Sequence, residues 1–181
     1  MEIRRTAFAL GLLVAGAAAV GAGWLVARSL DGASLERQQV LASLDLPQLD
    51  GGRGGPGRTD TDVVVLDFWA SWCSPCHVQS RLLGQLTADY EGRVSFYAVN
   101  VGESESIVRD SLEEHPIGFP VLLDQSGEVA LRAEIFGLPT LVVLDRDRSI
   151  AFSQVGLVSP NALRAQLDAL LESSVTPASA H

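Results

Sequence analysis

The hydrophobic positions of the chain form one long N-terminal run, followed by a series of short runs between polar turns. Residues 6–27 carry no charged side chain and consist mainly of Ala, Leu, Gly and Val. About 20 such residues in a helix cross the hydrocarbon core of a bilayer. Arg4 and Arg5 directly precede the run, and basic residues before an apolar span stay on the cytoplasmic side. The pattern predicts a cytoplasmic N-terminus over residues 1–5, a transmembrane anchor over 6–27 and an exported remainder.

A cleaved signal peptide is the alternative interpretation of this run. The apolar region of a signal peptide is usually shorter, about 7–15 residues, and no evident Ala-x-Ala cleavage site follows here. The sequence therefore favours a retained anchor. Residues 28–60 are predicted to be a juxtamembrane segment, with a short helix over 34–46 and a glycine-rich loop over 51–57 that has no function of its own.

The later runs alternate between strand and helix patterns. Residues 63–69 are apolar except for Asp67, which is typical of a strand buried on both faces. The other predicted strands are 94–101, 119–123, 140–144 and 150–155, and the predicted helices are 74–90, 105–114, 128–136 and one that begins after Ser159. This order predicts an α/β domain over residues 61–172, a central mixed β-sheet flanked by helices, with a disordered tail over 173–181.

Charge and cysteine content narrow the possible functions. The formal net charge is −9, and the 13 basic residues, all Arg, form no cluster in the exported part, so a nucleic-acid partner is not expected. The two cysteines, Cys73 and Cys76, are three positions apart. A disulfide that closes so short a loop stabilises a fold little. The pair is therefore predicted to be chemical, and its position after the first buried strand is thioredoxin-like.

The predicted helix start gives the two cysteines different roles. At that place the sulfur of Cys73 meets unpaired backbone N–H groups and the positive end of the helix dipole, which favour the thiolate. Cys73 is therefore predicted to attack a substrate disulfide, and Cys76, one turn further, to resolve the mixed disulfide. Pro75 suits the first helical turn because its missing N–H is not needed there. The spacer residues Ser74 and Pro75 are predicted to tune the redox potential.

Asp67 is the candidate proton carrier of this site. It lies six residues before Cys73 within an apolar strand, where desolvation raises the pKa of a carboxyl group. Such a group can take the proton of Cys76 when that thiol becomes a nucleophile. The alternative, an Asp at a strand end that reaches water, is disfavoured by the apolar neighbours on both sides.

Several strings resemble a known family. Residues 65–76, VLDFWASWCSPC, are similar to the signature of the thioredoxin superfamily. Residues 98–104 (AVNVGES), 119–124 (FPVLLD) and 137–140 (GLPT) resemble its TlpA/ResA-like branch, and the similarity runs from about Asp45 to Leu171. That branch comprises membrane-tethered extracytoplasmic thiol:disulfide reductases, several of which serve cytochrome c maturation or copper-centre assembly.

The resemblance implies a thioredoxin-like fold and further site residues. It implies that Pro139 is a cis-proline beside the dithiol, although most X-Pro bonds are trans. The loop of Leu138, Pro139 and Thr140, together with Trp72 beside the first cysteine, is implied to bind substrate or tune the redox reaction.

Two positions are treated as possible site residues. Several cytochrome-maturation members carry Glu three residues after the second cysteine, where this chain has Gln79, and they often have Asn in place of Asp67. This departure weakens the narrow assignment to cytochrome maturation but leaves the general assignment as a thiol:disulfide reductase unchanged. Glu103 is predicted to lie near the site, with a carboxylate at a helix start as the equally good alternative.

Three other functions are compatible with parts of the sequence. Cys73 to His77 also fit the Cys-x-x-Cys-His pattern of haem attachment, but the only Met is Met1, so the exported domain cannot supply a Met ligand. Two thiolates and a His could hold Cu(I) in a copper-binding assembly factor. A disulfide oxidase or isomerase has the same fold, because direction depends on the potentials of the partners.

The sequence thus predicts an extracytoplasmic thiol:disulfide oxidoreductase, a reductase of protein disulfides, on the periplasmic side of the inner membrane. It is expected to need no metal or cofactor beyond the Cys73–Cys76 dithiol, and to act as a monomer. Exported space is oxidising, so such a reductase requires a transmembrane thiol donor of electrons, beside which a tether would hold it.

Overall fold

A computed structural model of the protein describes residues 34–175. The chain divides into a unit that ends at Glu36 and one that begins at Arg37, and all strands of the described residues lie in the second unit. The helices are α1 (residues 34–42, which begins in the first unit), α2 (Ser74–Gly84), α3 (Glu105–Glu114), α4 (Glu128–Arg132) and α5 (Pro160–Val175). The strands are β1 (Leu46–Pro47), β2 (Arg53–Gly54), β3 (Val63–Trp69), β4 (Val94–Val101), β5 (Val121–Asp124), β6 (Thr140–Leu144) and β7 (Ile150–Val155).

A mixed five-stranded sheet with the order β5-β4-β3-β6-β7 organises the fold. Strands β3, β4 and β5 run parallel, whereas β6 is antiparallel to β3 and β7 is antiparallel to β6. The predicted α/β class with a central mixed sheet is confirmed, and β3, β4, β6, β7 and α3 have the predicted bounds. Strands β1 and β2 form a separate two-stranded sheet.

Strand β3 lies at the centre of the sheet and is buried along its whole length. Its side chains alternate between the two faces, as the strand period requires. Val63, Val65 and Trp69 join a hydrophobic cluster that includes side chains of α2, α3 and α5. Val64, Leu66 and Phe68 join a second cluster with side chains of α1 and α4. The apolar run in the sequence therefore corresponds to a strand covered on both faces.

Residues 37–60 differ from the predicted juxtamembrane segment, because they pack onto this domain. Val40, Leu41 and Leu44 are buried in the second cluster beside Leu46. The predicted helix over 34–46 ends at residue 42, and the chain then turns into β1. Four apolar residues over such a short stretch show no clear period, so the sequence pattern does not predict their burial, which results from long-range packing.

Other helices and strands also begin or end at residues that differ from the predicted ones. The predicted helix 74–90 ends at Gly84 and is followed by a separate 3-10 turn, Thr87–Tyr90. The helix predicted over 128–136 ends at Arg132, and the strand predicted over 119–123 occupies Val121–Asp124. Residues 173–175, assigned to a disordered tail, are the last residues of α5.

No helix within residues 34–175 combines the length and the apolar character that crossing a membrane requires. The predicted N-terminus 1–5, the anchor 6–27, the start of the juxtamembrane segment and the end of the tail lie outside the described residues.

The close approach of Gly55 to the segment after α1 yields a prediction about stability. Gly55 has φ of 142°, and a Cβ atom there would overlap with the Leu44 carbonyl oxygen. We expect Gly55→Ala to lower the free energy of unfolding by about 2 kcal/mol or more, because a strained backbone and a clash coincide. Gly57→Ala is the matched control, since its Cβ would meet nothing within 4 Å. Urea unfolding of both variants measures the difference, and equal midpoints would contradict the close packing of Gly55 on Leu44.

Candidate active site

The turn between β3 and α2 carries the two cysteines. Cys73 is the N-cap residue of α2, with an extended backbone, and the helix continues for 11 residues. The first turn of α2 contains no acidic residue, and Pro75 occupies one of its first two positions. The sulfur of Cys73 thus lies at the positive end of a helix dipole with no carboxylate in the same turn, an environment that favours a thiolate.

Cys73 and Cys76 form a disulfide bond, with a Cα–Cα distance of 5.3 Å. Cys73 keeps 4% of its surface exposed, whereas Cys76 is fully buried. Trp72, beside the first cysteine, is 72% exposed, and the spacer residues Ser74 and Pro75 are also exposed. Cys73 is therefore the cysteine that a second protein can reach first.

The carboxyl group of Asp67 is completely buried in β3. The hydroxyl of Ser80 in α2 donates a hydrogen bond to its Oδ2 atom at 2.7 Å. No described residue provides a hydrogen-bond partner for Oδ1. Burial raises the pKa of Asp67 to about 7, while the Ser80 hydrogen bond opposes part of that increase. Asp67 can therefore gain or lose a proton near neutral pH.

The contact with Ser80 also places Asp67 close to the second cysteine. Ser80 follows Cys76 by four residues in α2, so both side chains lie on the same face of the helix, about 5–6 Å apart between Cβ atoms. Because side chains alternate between the two faces along β3, Asp67 lies on the same face as Val65 and Trp69, which is the face that α2 covers. Ser80 was not singled out from the sequence, although its spacing from Cys76 was the available signal.

The loop before β6 approaches the same edge of the sheet. Thr140 at the start of β6 pairs with Phe68 near the end of β3, so the residues before Thr140 lie beside the turn that leads to Cys73. The Leu138–Pro139 peptide bond is cis, as the resemblance implied. Pro139 is buried and Leu138 is half-buried. The Thr140 hydroxyl donates to the Gly137 carbonyl at 2.7 Å, which closes the loop on itself.

Gln79 has a contact that the sequence did not indicate. Its side chain is buried on α2, and its Oε1 atom accepts a hydrogen bond from the backbone N–H of Val158 at 2.8 Å. Gln79 therefore connects α2 to the segment before α5. Its Nε2 atom has no hydrogen-bond partner among the described residues.

Glu103 lies two residues before the first residue of α3. It accepts hydrogen bonds from the backbone N–H and the hydroxyl of Ser71, which belongs to the turn that leads to Cys73. It also accepts a hydrogen bond from the side-chain amide of Asn100 at the end of β4. Helix α3 has Ser104 as its N-cap. The structure thus places Glu103 at the start of α3, with its carboxylate on the turn before Cys73.

The histidine that follows the second cysteine faces the same turn. The Nε2 atom of His77 lies 2.9 Å from the backbone carbonyl oxygen of Ser71, and its ring stacks on that of His115. Within residues 34–175, no cluster of three or more His, Cys, Asp or Glu side chains is arranged to hold a metal ion.

Comparisons with known proteins agree with this geometry. The model of the AhpC/TSA family matches residues 43–153, more than half of the 181-residue chain. The thioredoxin-like protein YneN of Bacillus subtilis is 26% identical over 137 residues, which cover 74% of this chain and 80% of YneN. The thiol-disulfide oxidoreductase ResA of Bacillus thuringiensis is 28% identical over 88 residues, 48% of this chain and 51% of ResA. The chain thus spans about half the length of that ResA protein.

Among solved structures, a Chlorobium tepidum protein assigned as the thiol:disulfide interchange protein DsbE superimposes with a TM-score of 0.66 and 30% identity. The alignment covers 71% of this chain and 92% of that protein. These comparisons confirm the predicted resemblance, its fold and its enzyme class, since this chain is similar to thiol:disulfide oxidoreductases of the thioredoxin type.

The buried carboxyl group predicts how stability depends on pH. Since the pKa of Asp67 is raised from 3.8 to about 7 on folding, this group contributes most to stability in its protonated form. That contribution is complete below about pH 4 and is lost as pH rises through about 7. Asp67→Asn removes the titration, so we expect the variant to be more stable than the wild type above pH 7 and the gap to close as pH falls toward 4.

Urea unfolding of the disulfide form across this pH range measures the effect. Asp62→Asn, at a partly exposed carboxylate that pairs with Arg146, is the control, and because such surface pairs contribute little to stability it should keep the pH dependence of the wild type. A constant difference between Asp67→Asn and the wild type at all pH values would contradict the raised pKa.

Proposed function

This chain belongs to the AhpC/TSA family, and from that membership and the buried dithiol site we propose that it reduces disulfide bonds of other proteins. The observation that carries the proposal is the Cys73–Cys76 disulfide at the start of α2. One helical turn after Cys76, Ser80 donates a hydrogen bond to the carboxyl group of Asp67. Similarity to proteins named thiol-disulfide oxidoreductases supports the same reaction class.

The reaction begins with the reduced dithiol. The Cys73 thiolate attacks one sulfur of a substrate disulfide, forms a bond to it, and releases the other substrate sulfur as a thiolate that takes a proton from water. Cys76 then attacks the Cys73 sulfur, which releases the second substrate sulfur. Two electrons pass from the enzyme dithiol to the substrate, and the enzyme is left with the Cys73–Cys76 disulfide seen in the structure.

In this proposal Asp67 accepts the proton of Cys76 during the second step. The thiol of Cys76 is fully buried, so water cannot readily remove its proton. A carboxyl group with a pKa of about 7 is partly ionised at neutral pH and is matched to that transfer. Gln79, at the position where some relatives carry Glu, offers an amide that does not titrate and already binds Val158.

The substrate is proposed to dock where the turn before Cys73 meets the cis-proline loop. Trp72 and Phe136 are the exposed large apolar side chains of these two segments, 72% and 79% accessible. Exposed aromatic residues of this kind are typical of protein-binding surfaces. Leu138, Pro139 and Thr140 are proposed to contact the substrate backbone, in the role that the resemblance implies.

The place of action is proposed from the N-terminal sequence. Arg4 and Arg5 ahead of the apolar residues 6–27 support a single-pass anchor with the domain outside the cytoplasm. In an oxidising compartment the disulfide form accumulates, so the proposal requires a membrane thiol donor that returns two electrons to Cys73–Cys76. Cytochrome c maturation or copper-centre assembly is the proposed setting, with the protein acting as a monomer.

The roles of the two cysteines are tested by trapping. Cys76→Ser should accumulate mixed disulfides with protein substrates on Cys73, because no second thiol resolves them. Cys73→Ser should trap none and lose turnover. Mass spectrometry of the trapped species under non-reducing conditions identifies the bonded cysteine. Substrates attached to Cys76 in the Cys73→Ser variant would reverse the assignment, and disulfide reduction by both variants at the wild-type rate would refute the proposed function.

The role of Asp67 is tested by the pH dependence of resolution. We expect Asp67→Asn to slow the release of the second substrate thiol by about tenfold or more near pH 7, because the general base is lost. The first attack by Cys73 should change little. Rapid mixing of the reduced enzyme with a labelled disulfide peptide separates the two steps.

Asp124→Asn is the matched control, because Asp124 is also a buried strand carboxyl group but binds the backbone of α4. It should leave both steps at the wild-type rate. Superimposable pH profiles of resolution for Asp67→Asn and the wild type would show that another group moves the proton.

A further inference from the structure

Ser71 is the most fully hydrogen-bonded residue of the turn before the attacking cysteine. The N–H of Cys73 donates to the carbonyl oxygen of Ala70 at 3.1 Å, which closes a β-turn with Ser71 and Trp72 at its centre. The N–H of Ser71 donates to Glu103 Oε2 at 2.7 Å, and its hydroxyl donates to Glu103 Oε1 at 2.5 Å. Both contacts come from Glu103 in the loop after β4, and together they fix the position of Ser71 in the turn.

The remaining polar group of Ser71 is held by a different element, helix α2. Its carbonyl oxygen lies 2.9 Å from His77 Nε2, and because a carbonyl oxygen only accepts, Nε2 carries the hydrogen. His77 belongs to α2, and its ring stacks on His115 with centroids 4.0 Å apart. Ser71 thus connects the loop before α3 to the helix that carries Cys76.

Glu103 is itself held in place. The Nδ2 atom of Asn100 donates to its Oε2 atom at 2.7 Å, and only 9% of Glu103 is exposed. Three donors converge on this one carboxylate, and hydrogen bonds to ionised acceptors are shorter and stronger than neutral ones. By contrast, the neighbouring Glu105 is exposed and pairs with Arg109 on the surface of α3. The arrangement around Glu103 therefore exceeds what a carboxylate at a helix start requires.

We propose that Glu103 is a positioning residue for Cys73, which acts by fixing Ser71 and thereby the turn that presents the attacking sulfur. The inference rests on the proposed function, because it concerns the first of its two steps. A thiolate must approach a disulfide in line with the bond it breaks, and small displacements of a reacting group lower rates strongly. A turn held at Ser71 by Glu103 and by His77 restricts the positions that the sulfur of Cys73 can adopt.

The test isolates the first step. The full chain with Cys76→Ser serves as the parent, because its single remaining thiol can attack but not resolve. Its reaction with 5,5′-dithiobis(2-nitrobenzoate) transfers one aromatic thiol to Cys73 and releases the other as a coloured thiolate. The rate is followed from about pH 5 to about pH 9, so that a change in thiolate fraction is separated from the limiting rate at high pH.

We expect Glu103→Ala in this parent to lower the limiting rate about tenfold, whereas Glu103→Gln, which keeps an oxygen acceptor, should lose about threefold or less. Ser71→Ala should also slow attack, and adding it to Glu103→Ala should cost no more than Glu103→Ala alone, because both changes remove the same contact. Glu105→Gln is the control and should match the parent. Urea unfolding identifies any variant that is not folded, and the double-mutant comparison then uses Glu103→Asp, whose shorter side chain draws its oxygens away from Ser71.

Three results would overturn the inference: a folded Glu103→Ala variant within about twofold of the parent, fully additive effects of Glu103 and Ser71, or an equal loss in Glu105→Gln. Failure of the proposed function gives a different result. In that case the Cys76→Ser parent would still react with the disulfide reagent at a rate that depends on Glu103, but the reduced wild-type dithiol would not reduce disulfide bonds of other proteins.

Discussion

The burial of one carboxyl group in the central strand is the constraint on which the candidate site depends. Asp67 lies in the middle of a sheet that is covered on both faces, where an ionised group loses its hydration. The single hydrogen bond from Ser80 offsets only part of that loss, so the pKa of Asp67 stays near 7. Helix α2 must lie directly over this point, because it supplies both Ser80 and, one turn earlier, Cys76. The position of α2 over β3 therefore couples the redox pair to a group that titrates at neutral pH.

The sheet brings three separate segments to one edge. Strands β3 and β4 are parallel, so their carboxyl ends meet, and Trp69 pairs with Asn100. Strand β6 is antiparallel to β3, so it begins at the edge where β3 ends. As a result, the turn before Cys73, the loop that holds Glu103 and the cis-proline loop meet without any long connection. A mixed sheet is required for this arrangement, since an all-parallel sheet would place the start of β6 at the opposite edge.

Much of this architecture could be predicted from local patterns. The apolar runs of β3, β4 and β6 are long enough to define their bounds, and the Cys-x-x-Cys spacing places the redox pair. The packing of α1 and β1 could not be predicted, because a few apolar residues without a period gain their burial only from distant partners. The contact between Glu103 and Ser71 joins residues 32 positions apart, and the contact of Gln79 with Val158 spans 79 positions. Such pairs depend on the register of the sheet, which the sequence pattern does not specify.

The two carboxyl groups of the site are suited to different tasks by the number of their hydrogen-bond donors. Asp67 has one donor among the described residues and leaves one oxygen without a partner, so a proton can be added there without breaking the contact with Ser80. Glu103 has three donors, two of them from Ser71, so the loss of its side chain would release the turn before Cys73. A group that transfers a proton must exchange it freely, whereas a group that fixes a turn must keep all its contacts. In the roles proposed here, the proton chemistry of Cys76 and the positioning of Cys73 are therefore assigned to two different carboxyl groups, one that contacts Ser80 and one that contacts Ser71.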